Sequence, residues 1–235
     1  MIRSKNMYVD GQYLKNNPSW DVEDARWKSD AIKGLLEKNS IRPKSLIEVG
    51  CGAGAILENL ATQMPFIQSL QGFDISPQAI SLAKQRETAT IRFFNEDFLL
   101  RKDLHTDLLL LIDVLEHLED YYGFLQKIRM DSNFFVFHIP LDLSCRTILK
   151  PHILYQQRES VGHIHYFSEE MVLWMLQDSD FEIIDFVYTK PQVDLMKADS
   201  TKRWIKKVLR NFSFGISKKI SAKLWGGYSL MILAK

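Results

Sequence analysis

Three glycines, Gly50, Gly52 and Gly54, follow the apolar run Leu46-Ile47-Glu48-Val49 with one residue between each. Glycines so spaced let the backbone adopt positive φ and approach a ligand closely, and a helix starting just after them offers free N–H groups. In open α/β sheets such a turn sits at the C-terminal edge of a strand, where ligands bind. Asp74 ends the next apolar run, twenty residues after Gly54. A carboxylate there, an acceptor only, takes both hydroxyl protons of a ribose. The chemistry implied is binding of a nucleotide-like cofactor, against the plainer reading of Asp74 as a turn residue. Gly50-Cys51-Gly52-Ala53-Gly54-Ala55 also satisfies the dinucleotide pattern G-x-G-x-x-A, so a nicotinamide dehydrogenase is a rival. The shortness of the chain after Ile139, which leaves too few residues for a substrate domain, weighs against that rival. Cys51 is explained by its small size in the turn and has no redox role.

A second group is Asp113, Glu116 and His117, at i, i+3 and i+4. A helix starting just past the fourth strand would carry them on one side. Two carboxylates and an imidazole suit a divalent cation. The plainer readings are a helix N-cap for Asp113 and a capping role for Glu116 and His117. His138 and His165 are expected to satisfy local hydrogen bonds.

The elements that must position these residues follow from the apolar pattern. Short, turn-bounded runs at Ser45 to Val49, Ser69 to Phe73, Ile91 to Asn95, Asp107 to Asp113 and Phe134 to Ile139 read as buried parallel strands. Amphipathic stretches between them read as helices on both faces of an α/β sheet. Ile56, Leu57, Leu60, Ala61 and Met64 recur at helical spacing before Pro65, and Ser76-Pro77 makes an N-cap and first helical residue. Ser168, Glu169 and Glu170 open a helix carrying Met171, Val172, Met175 and Leu176 on one side. Phe181 to Tyr188 and Tyr228 to Ala234 read as two late strands. Residues 1–44, with Tyr8, Tyr13, Trp20 and Trp27, form an N-terminal decoration, and 45–235 form the main domain. Insertions near 140–167 and 190–227 are too long to be passive turns, and these two pieces together with the N-terminal decoration are expected to surround the site.

With these motifs in order, the chain resembles class I S-adenosylmethionine-dependent methyltransferases, in particular the group of ubiquinone and menaquinone biosynthesis enzymes. The resemblance rests on Glu48-Val49-Gly50-Cys51-Gly52-Ala53-Gly54, Gly72-Phe73-Asp74-Ile75-Ser76, Asn95-Glu96-Asp97-Phe98 and Asp113-Val114-Leu115-Glu116-His117-Leu118, and covers about Ser45 to Lys190 plus the final strand. It implies a Rossmann-like, seven-stranded, mostly parallel sheet whose last strand is antiparallel. It implies that Glu48 belongs to the cofactor motif and that Gly50, Cys51, Gly52 and Gly54 run along the methionine and ribose portion of S-adenosylmethionine. Asp74 would take the ribose hydroxyls, Ile75 would lie against adenine, and Asp97 and Phe98 would meet its amine and face. Asp113 would lie beside the methionine end. Metal-dependent O-methyltransferases of this kind carry a similar acidic-x-x-Glu-His motif with a further histidine from downstream, which makes His163 a fourth candidate ligand beside Asp113, Glu116 and His117. Position 113 departs from the versions that have Glu. Without a cation, His117 or His163 is the candidate base for deprotonating a hydroxyl acceptor. The activity implied is methylation of a small molecule, with oxygen favoured over carbon or nitrogen. A cofactor-binding regulatory or scaffold protein without turnover is the alternative, and both need the same glycines and Asp74.

Composition bounds the partners. The 235 residues are 46% hydrophobic and carry a formal net charge of +1, with a pI near 7.8, which predicts no general attraction to nucleic acid. Two cysteines, Cys51 and Cys145, are too few for a disulfide framework, and with no signal peptide or long apolar run they point to the cytoplasm. The charge is uneven. Residues 197–223 hold nine lysines and arginines against Asp199 alone, a net +8, which leaves −7 on the rest of the chain. Within that stretch Trp204, Ile205, Val208, Leu209 and Phe212 form a helical apolar stripe. The commoner fate of such a stripe is to pack on the domain and leave the lysines in water. The other readings are peripheral contact with a membrane surface and a lipid-linked or anionic acceptor entering beside the basic face.

Overall fold

The computed structural model describes residues 7–20, 22–101, 104–196 and 199–235. Seven strands, β1 Ser45–Val49, β2 Ser69–Asp74, β3 Ile91–Asn95, β4 Thr106–Ile112, β5 Ser132–Pro140, β6 Ile183–Thr189 and β7 Ser229–Ala234, form one sheet in the order β3-β2-β1-β4-β5-β7-β6. The five consecutive strands β1 to β5 pair in parallel, and β7 runs antiparallel between β5 and β6. The near-continuous apolar runs of β4 and β7 are buried on both sides, as helices on both faces require.

The helices are α1 Gln12–Asn16, α2 Val22–Lys38, α3 Ala55–Gln63, α4 Pro77–Ala83, α5 Tyr121–Ile128, α6 Cys145–Leu149, α7 His152–Ser160, α8 Glu169–Asp178, α9 Pro191–Asp194, α10 Thr201–Ile216 and α11 Lys218–Trp225. Successive strand residues point to opposite faces and so divide the core in two. Leu109 and Leu111 of β4 pack with Leu125 and Ile128 of α5 and Val172 and Met175 of α8. Leu108 and Leu110 pack on the other side with Ile32 and Leu36 of α2 and Leu57 and Leu60 of α3. Helix α2 is therefore part of the core, and a division of the chain at residue 45 corresponds to no break in packing.

Several expectations change at this level. The insertion at 140–167 folds into α6 and α7, and that at 190–227 into α9, α10 and α11. In α8, Met171 is exposed and the buried first-turn residue is Glu169, whose carboxylate accepts from Tyr188 and lies 3.3 Å from Lys219. The first late strand starts at Ile183, because Phe181 turns edge-on against Phe135 and Phe137. The apolar stripe of α10 does not pack on the domain: Trp204, Ile205, Val208, Leu209 and Phe212 are all exposed, and the buried residue of this helix is Arg210. Lys197, the first basic residue of that stretch, lies outside the described residues. Among the described residues no helix is long and apolar enough to cross a membrane.

Candidate active site

The C-terminal ends of β1, β2 and β4 meet at one edge of the sheet. Gly50, Gly52 and Gly54 all have positive φ, at 72°, 53° and 78°. The turn is tied to β2 by Gly50 N–H and Cys51 N–H, which both donate to Phe73 O at 2.8 and 3.1 Å. Asp74 completes the tie, with Oδ2 accepting from Gly52 N–H at 2.9 Å and Oδ1 from Ser76 N–H at 2.8 Å. Gly54 has a different task. A Cβ built there would stand 2.4 Å from Phe93 Cζ, so this glycine lets the start of α3 close on β3.

In front of the turn lies a cavity of about 780 Å³. Glu48, Gly50, Cys51 and Gly52 form one wall, Asp74, Ile75, Asp97 and Phe98 a second, and Asp113 a third, while Gly54 lies behind the lining. These residues suit a nucleoside with a charged tail. Glu48 is 1% exposed with Oε2 unpartnered, and burial pushes its pKa well up while the Lys28 ammonium pulls it back. A buried acceptor without a donor is costly and calls for one from a ligand. Each Asp74 oxygen has one backbone donor, which leaves acceptor capacity for hydroxyl groups. Phe98 is buried in an edge-on contact with Phe73, and Asp97 caps the following turn by accepting from Leu99 N–H at 3.1 Å.

The spacing expectation for Asp113, Glu116 and His117 is only half met. Leu115–His117 is a 3-10 turn and not the start of an α-helix, and Asp113 precedes it with φ 54°. The Asp113 carboxylate turns away to Lys28 Nζ at 2.9 Å and His138 Nδ1 at 2.7 Å. Burial pushes its pKa up, but His138 and Lys28 prevail and hold it well below the usual carboxylate range. His138, expected to be a local hydrogen-bonding residue, thus lines the cavity and links Asp113 to Thr189 Oγ1 at 2.8 Å.

Glu116, His117 and His163 are brought together, with one ligand atom from each within 4.8 Å of the others. Glu116 is fully buried, and neither carboxylate oxygen has a hydrogen-bond partner. Its Oε1 lies 3.9 Å from His117 Nε2 and 4.0 Å from His163 Nε2. The other nitrogen of each ring is held from behind. His163 Nδ1 meets Asp142 Oδ2 at 2.7 Å, and Asp142 Oδ1 accepts from Gln157 Nε2 at 2.6 Å. His117 Nδ1 lies 2.9 Å from Tyr8 Oη and 3.2 Å from Gly162 O. Ile164 N–H and His165 N–H both donate to Glu116 O, at 2.9 and 3.1 Å, which fixes the loop carrying His163 over the turn. A buried carboxylate facing two oriented imidazoles, each with a partner on its far nitrogen, is a donor set that could hold a transition-metal or zinc ion. Without a cation, burial raises the Glu116 pKa well above normal, Asp113 adding to it. Burial and the adjacent His163 hold His117 down to about 4.

Lys28, Tyr8 and Asp142 enter the site without an expected role, although Tyr8 and Asp142 lie in segments expected to surround it. Lys28 alone had a legible signal. It lies three residues after Ala25 and four before Ile32, on the buried side of α2, where a lysine is out of place without a partner. His165 keeps a local role, with Nε2 at 2.8 Å from Leu118 O.

Comparison with known proteins agrees with this geometry. Residues 23–185 match the family described as a methyltransferase domain. The malonyl-[acyl-carrier protein] O-methyltransferase of Paenibacillus sp. (strain JDR-2) is 35% identical over 77 residues, a stretch that spans 29% of this chain and only 27% of that protein. Two solved structures share the fold at low identity. The magnesium protoporphyrin IX methyltransferase of Synechocystis PCC 6803, with bound S-adenosylhomocysteine, superposes with a TM-score of 0.57 at 16% identity, over 89% of this chain and 82% of that one. A putative methyltransferase of Haloferax volcanii, solved with its methyltransferase activator, gives 0.66 at 14% identity, over 96% and 94%. The glycine turn, the acceptor set around it and the family match together make this chain a member of the methyltransferase-domain family, a class I S-adenosylmethionine-dependent methyltransferase.

Proposed function

We propose that this enzyme methylates an oxygen atom of a small, lipid-linked or anionic acceptor, and that a divalent cation held by Glu116, His117 and His163 takes part. The observation that carries the reading is the fully buried, unpartnered Glu116 carboxylate with two imidazole Nε2 atoms about it. The named relative that methylates oxygen supports the choice of acceptor atom. S-adenosylmethionine supplies an electrophilic methyl group on a sulfonium. In this reading Asp74 holds the ribose hydroxyls, Ile75, Asp97 and Phe98 hold the adenine, and Glu48 with the Gly50-Cys51-Gly52 turn flanks the methionine portion. Asp113, ionised by Lys28 and His138, faces the cationic end.

Methyl transfer is an in-line displacement, so alignment of acceptor and methyl supplies much of the rate. The wall built by Tyr8, Tyr13 and Trp20, with ring centroids 4.9 and 4.6 Å apart in sequence, presents flat apolar surface to the acceptor. A cation held by Glu116, His117 and His163 would supply charge that favours the ionised form of an acceptor hydroxyl. His117 itself is a poor general base, since its pKa of about 4 leaves little affinity for a proton. Without a cation, His163 is therefore the remaining candidate base.

The test is release of S-adenosylhomocysteine with a panel of phenolic, carboxylic and hydroxylated lipid acceptors, run with chelator and after adding back magnesium, manganese or zinc. Turnover that is lost in chelator and restored by one of these ions is the expected result. Full turnover in chelator removes the cation from the reading, and methyl transfer to nitrogen or carbon acceptors alone overturns the choice of oxygen.

A further inference from the structure

Helix α10 is built inside out. At about 100° per residue all its bulky apolar side chains but Phe214 fall on one face and its polar ones on the opposite face. The polar face is the one that packs on the protein, with Phe214 stacked on Tyr228 among its residues. Arg210 is 1% exposed, donates through Nη2 to Gly226 O and stands 4.9 Å over the Tyr228 ring. Beside it Lys207 Nζ donates to Met196 O at 3.2 Å and Asn211 Oδ1 accepts from Lys190 Nζ at 2.6 Å. This inward face is bought with a buried cation whose Nε and Nη1 have no partner. The outward face holds Trp204, Ile205, Val208, Leu209, Phe212 and Ile216, which are 44% to 72% exposed. Ile220 and Leu224 of α11 are also exposed, as are Ile148 and Leu149 of α6, which packs on α11. Isolated exposed apolar residues are ordinary, but bulky ones gathered on one face of a helix mark a surface that something covers.

We infer that α10 and α11 form a docking face for an anionic bilayer, lying in the interface plane with Trp204, Phe212 and Ile216 inserted among the acyl chains. The cover is identified by charge. Lys202, Lys206 and Lys218 are exposed on these two helices and complement anionic headgroups, while the exposed Lys219 and Lys223 pair with Glu169 and Glu170. Burial, with Arg146 and Arg210 adding to it, lowers the Lys206 pKa, and these three neighbouring cations together make a positive field that an anion relieves. A second copy of the chain is a poor cover, because a two-fold contact sets each patch against itself and brings like lysines together. The face also has a functional position. Helix α11 ends at Trp225, and two residues later Gly227, then Tyr228 and Ser229, line the cavity. Docking therefore sets one wall of the acceptor cavity beside the membrane surface. The inference does not depend on the identity of the acceptor atom or on the cation.

The experiment is sedimentation of the whole protein with vesicles of phosphatidylcholine alone and of equal parts phosphatidylcholine and phosphatidylglycerol, at low and at physiological salt. Wild type is expected to sediment with the anionic vesicles and far less with the neutral ones, more weakly as salt rises. Lys202→Glu/Lys206→Glu and Phe212→Ser/Ile216→Ser are each expected to cut partitioning by about tenfold or more, since each lysine near an anionic surface is worth about that factor or somewhat less. All four side chains are exposed, so S-adenosylhomocysteine binding should be unchanged in both variants and shows that the fold is intact. Failure of wild type to bind anionic vesicles at low salt overturns the inference. So does binding that Phe212→Ser/Ile216→Ser leaves unaltered, which reduces the face to a charged patch, and so does a dimer in sedimentation velocity that the same variant dissolves.

Discussion

His117 Nδ1 lies 2.9 Å from the hydroxyl of Tyr8, and that hydroxyl donates its one proton to Val161 O at 2.8 Å. Tyr8 can therefore only accept from His117, as can Gly162 O at 3.2 Å. The proton of the neutral imidazole is placed on Nδ1, and the Nε2 lone pair is turned toward Glu116 and His163. A residue from the N-terminal segment thus sets the tautomer of a ring more than a hundred positions away.

Removing this support should weaken cation binding without abolishing it. Tyr8→Phe leaves Gly162 O as the acceptor, so a loss of about tenfold in manganese or zinc affinity is expected, at the mild end of outer-shell substitutions. His117→Ala and His163→Ala should cost far more, and similarly to each other, in calorimetry with the metal salts. Equal affinity in all four proteins would show that no cation is held here.

Asp74→Ala should lower S-adenosylhomocysteine affinity by about 1–3 kcal/mol, through loss of charge-assisted hydrogen bonds to the ribose. The same carboxylate also holds Gly52 N–H, so some of the loss reflects a looser turn. Calorimetry checks the value, and unchanged affinity would leave Asp74 as a turn residue only. Wild type should bind NAD far more weakly than S-adenosylhomocysteine.

Gly54→Ala should destabilise the protein by about 2–4 kcal/mol, which combines the left-handed backbone penalty with overpacking against Phe93. Gly34 provides the contrast, since it lies within α2 and a Cβ there meets nothing within 4 Å. Gly34→Ala should stabilise by up to about 1 kcal/mol. Denaturant unfolding of both variants measures the two effects.

Lys28→Met should cost about 3–5 kcal/mol at neutral pH, the penalty for breaking a buried pair and leaving one charge behind. The pH dependence has a definite sign. Asp113 has a depressed folded-state pKa, so its contribution is present above the unfolded value near ~4 and is lost as pH falls below it. Lys28 has a raised pKa, so its contribution is present below the unfolded value near ~10 and is lost at higher pH. The unfolded Asp113 value is common to both proteins and His138 holds the carboxyl down in both, so the stability gap between wild type and variant should change little from about pH 4 to neutrality and narrow as pH rises past the unfolded lysine value near ~10. A gap that is the same at neutral pH and about one unit above that lysine value would remove the ion pair as its cause.

What the sequence determined by itself is local and contiguous. A strand, a glycine turn and a helix in succession can only put Glu48 to Gly54 at one sheet edge, and parallel pairing of β1 with β2 carries Asp74 to the same place. The apolar runs likewise set the strands, since buried parallel strands leave little choice of residue. The tertiary structure decided what depends on distant partners. Asp113 parts from Glu116 and His117 because Lys28 and His138 capture its carboxylate, and although a lysine on the buried side of α2 is legible, which carboxylate it meets is not within reach of any local pattern. His163 reaches Glu116 because two backbone N–H groups of its loop find Glu116 O. Helix α10 shows the limit most clearly. Periodicity established that it has an apolar face, but its direction depends on distant contacts of the opposite face, where Arg210 meets Gly226 and Tyr228 and Phe214 stacks on Tyr228.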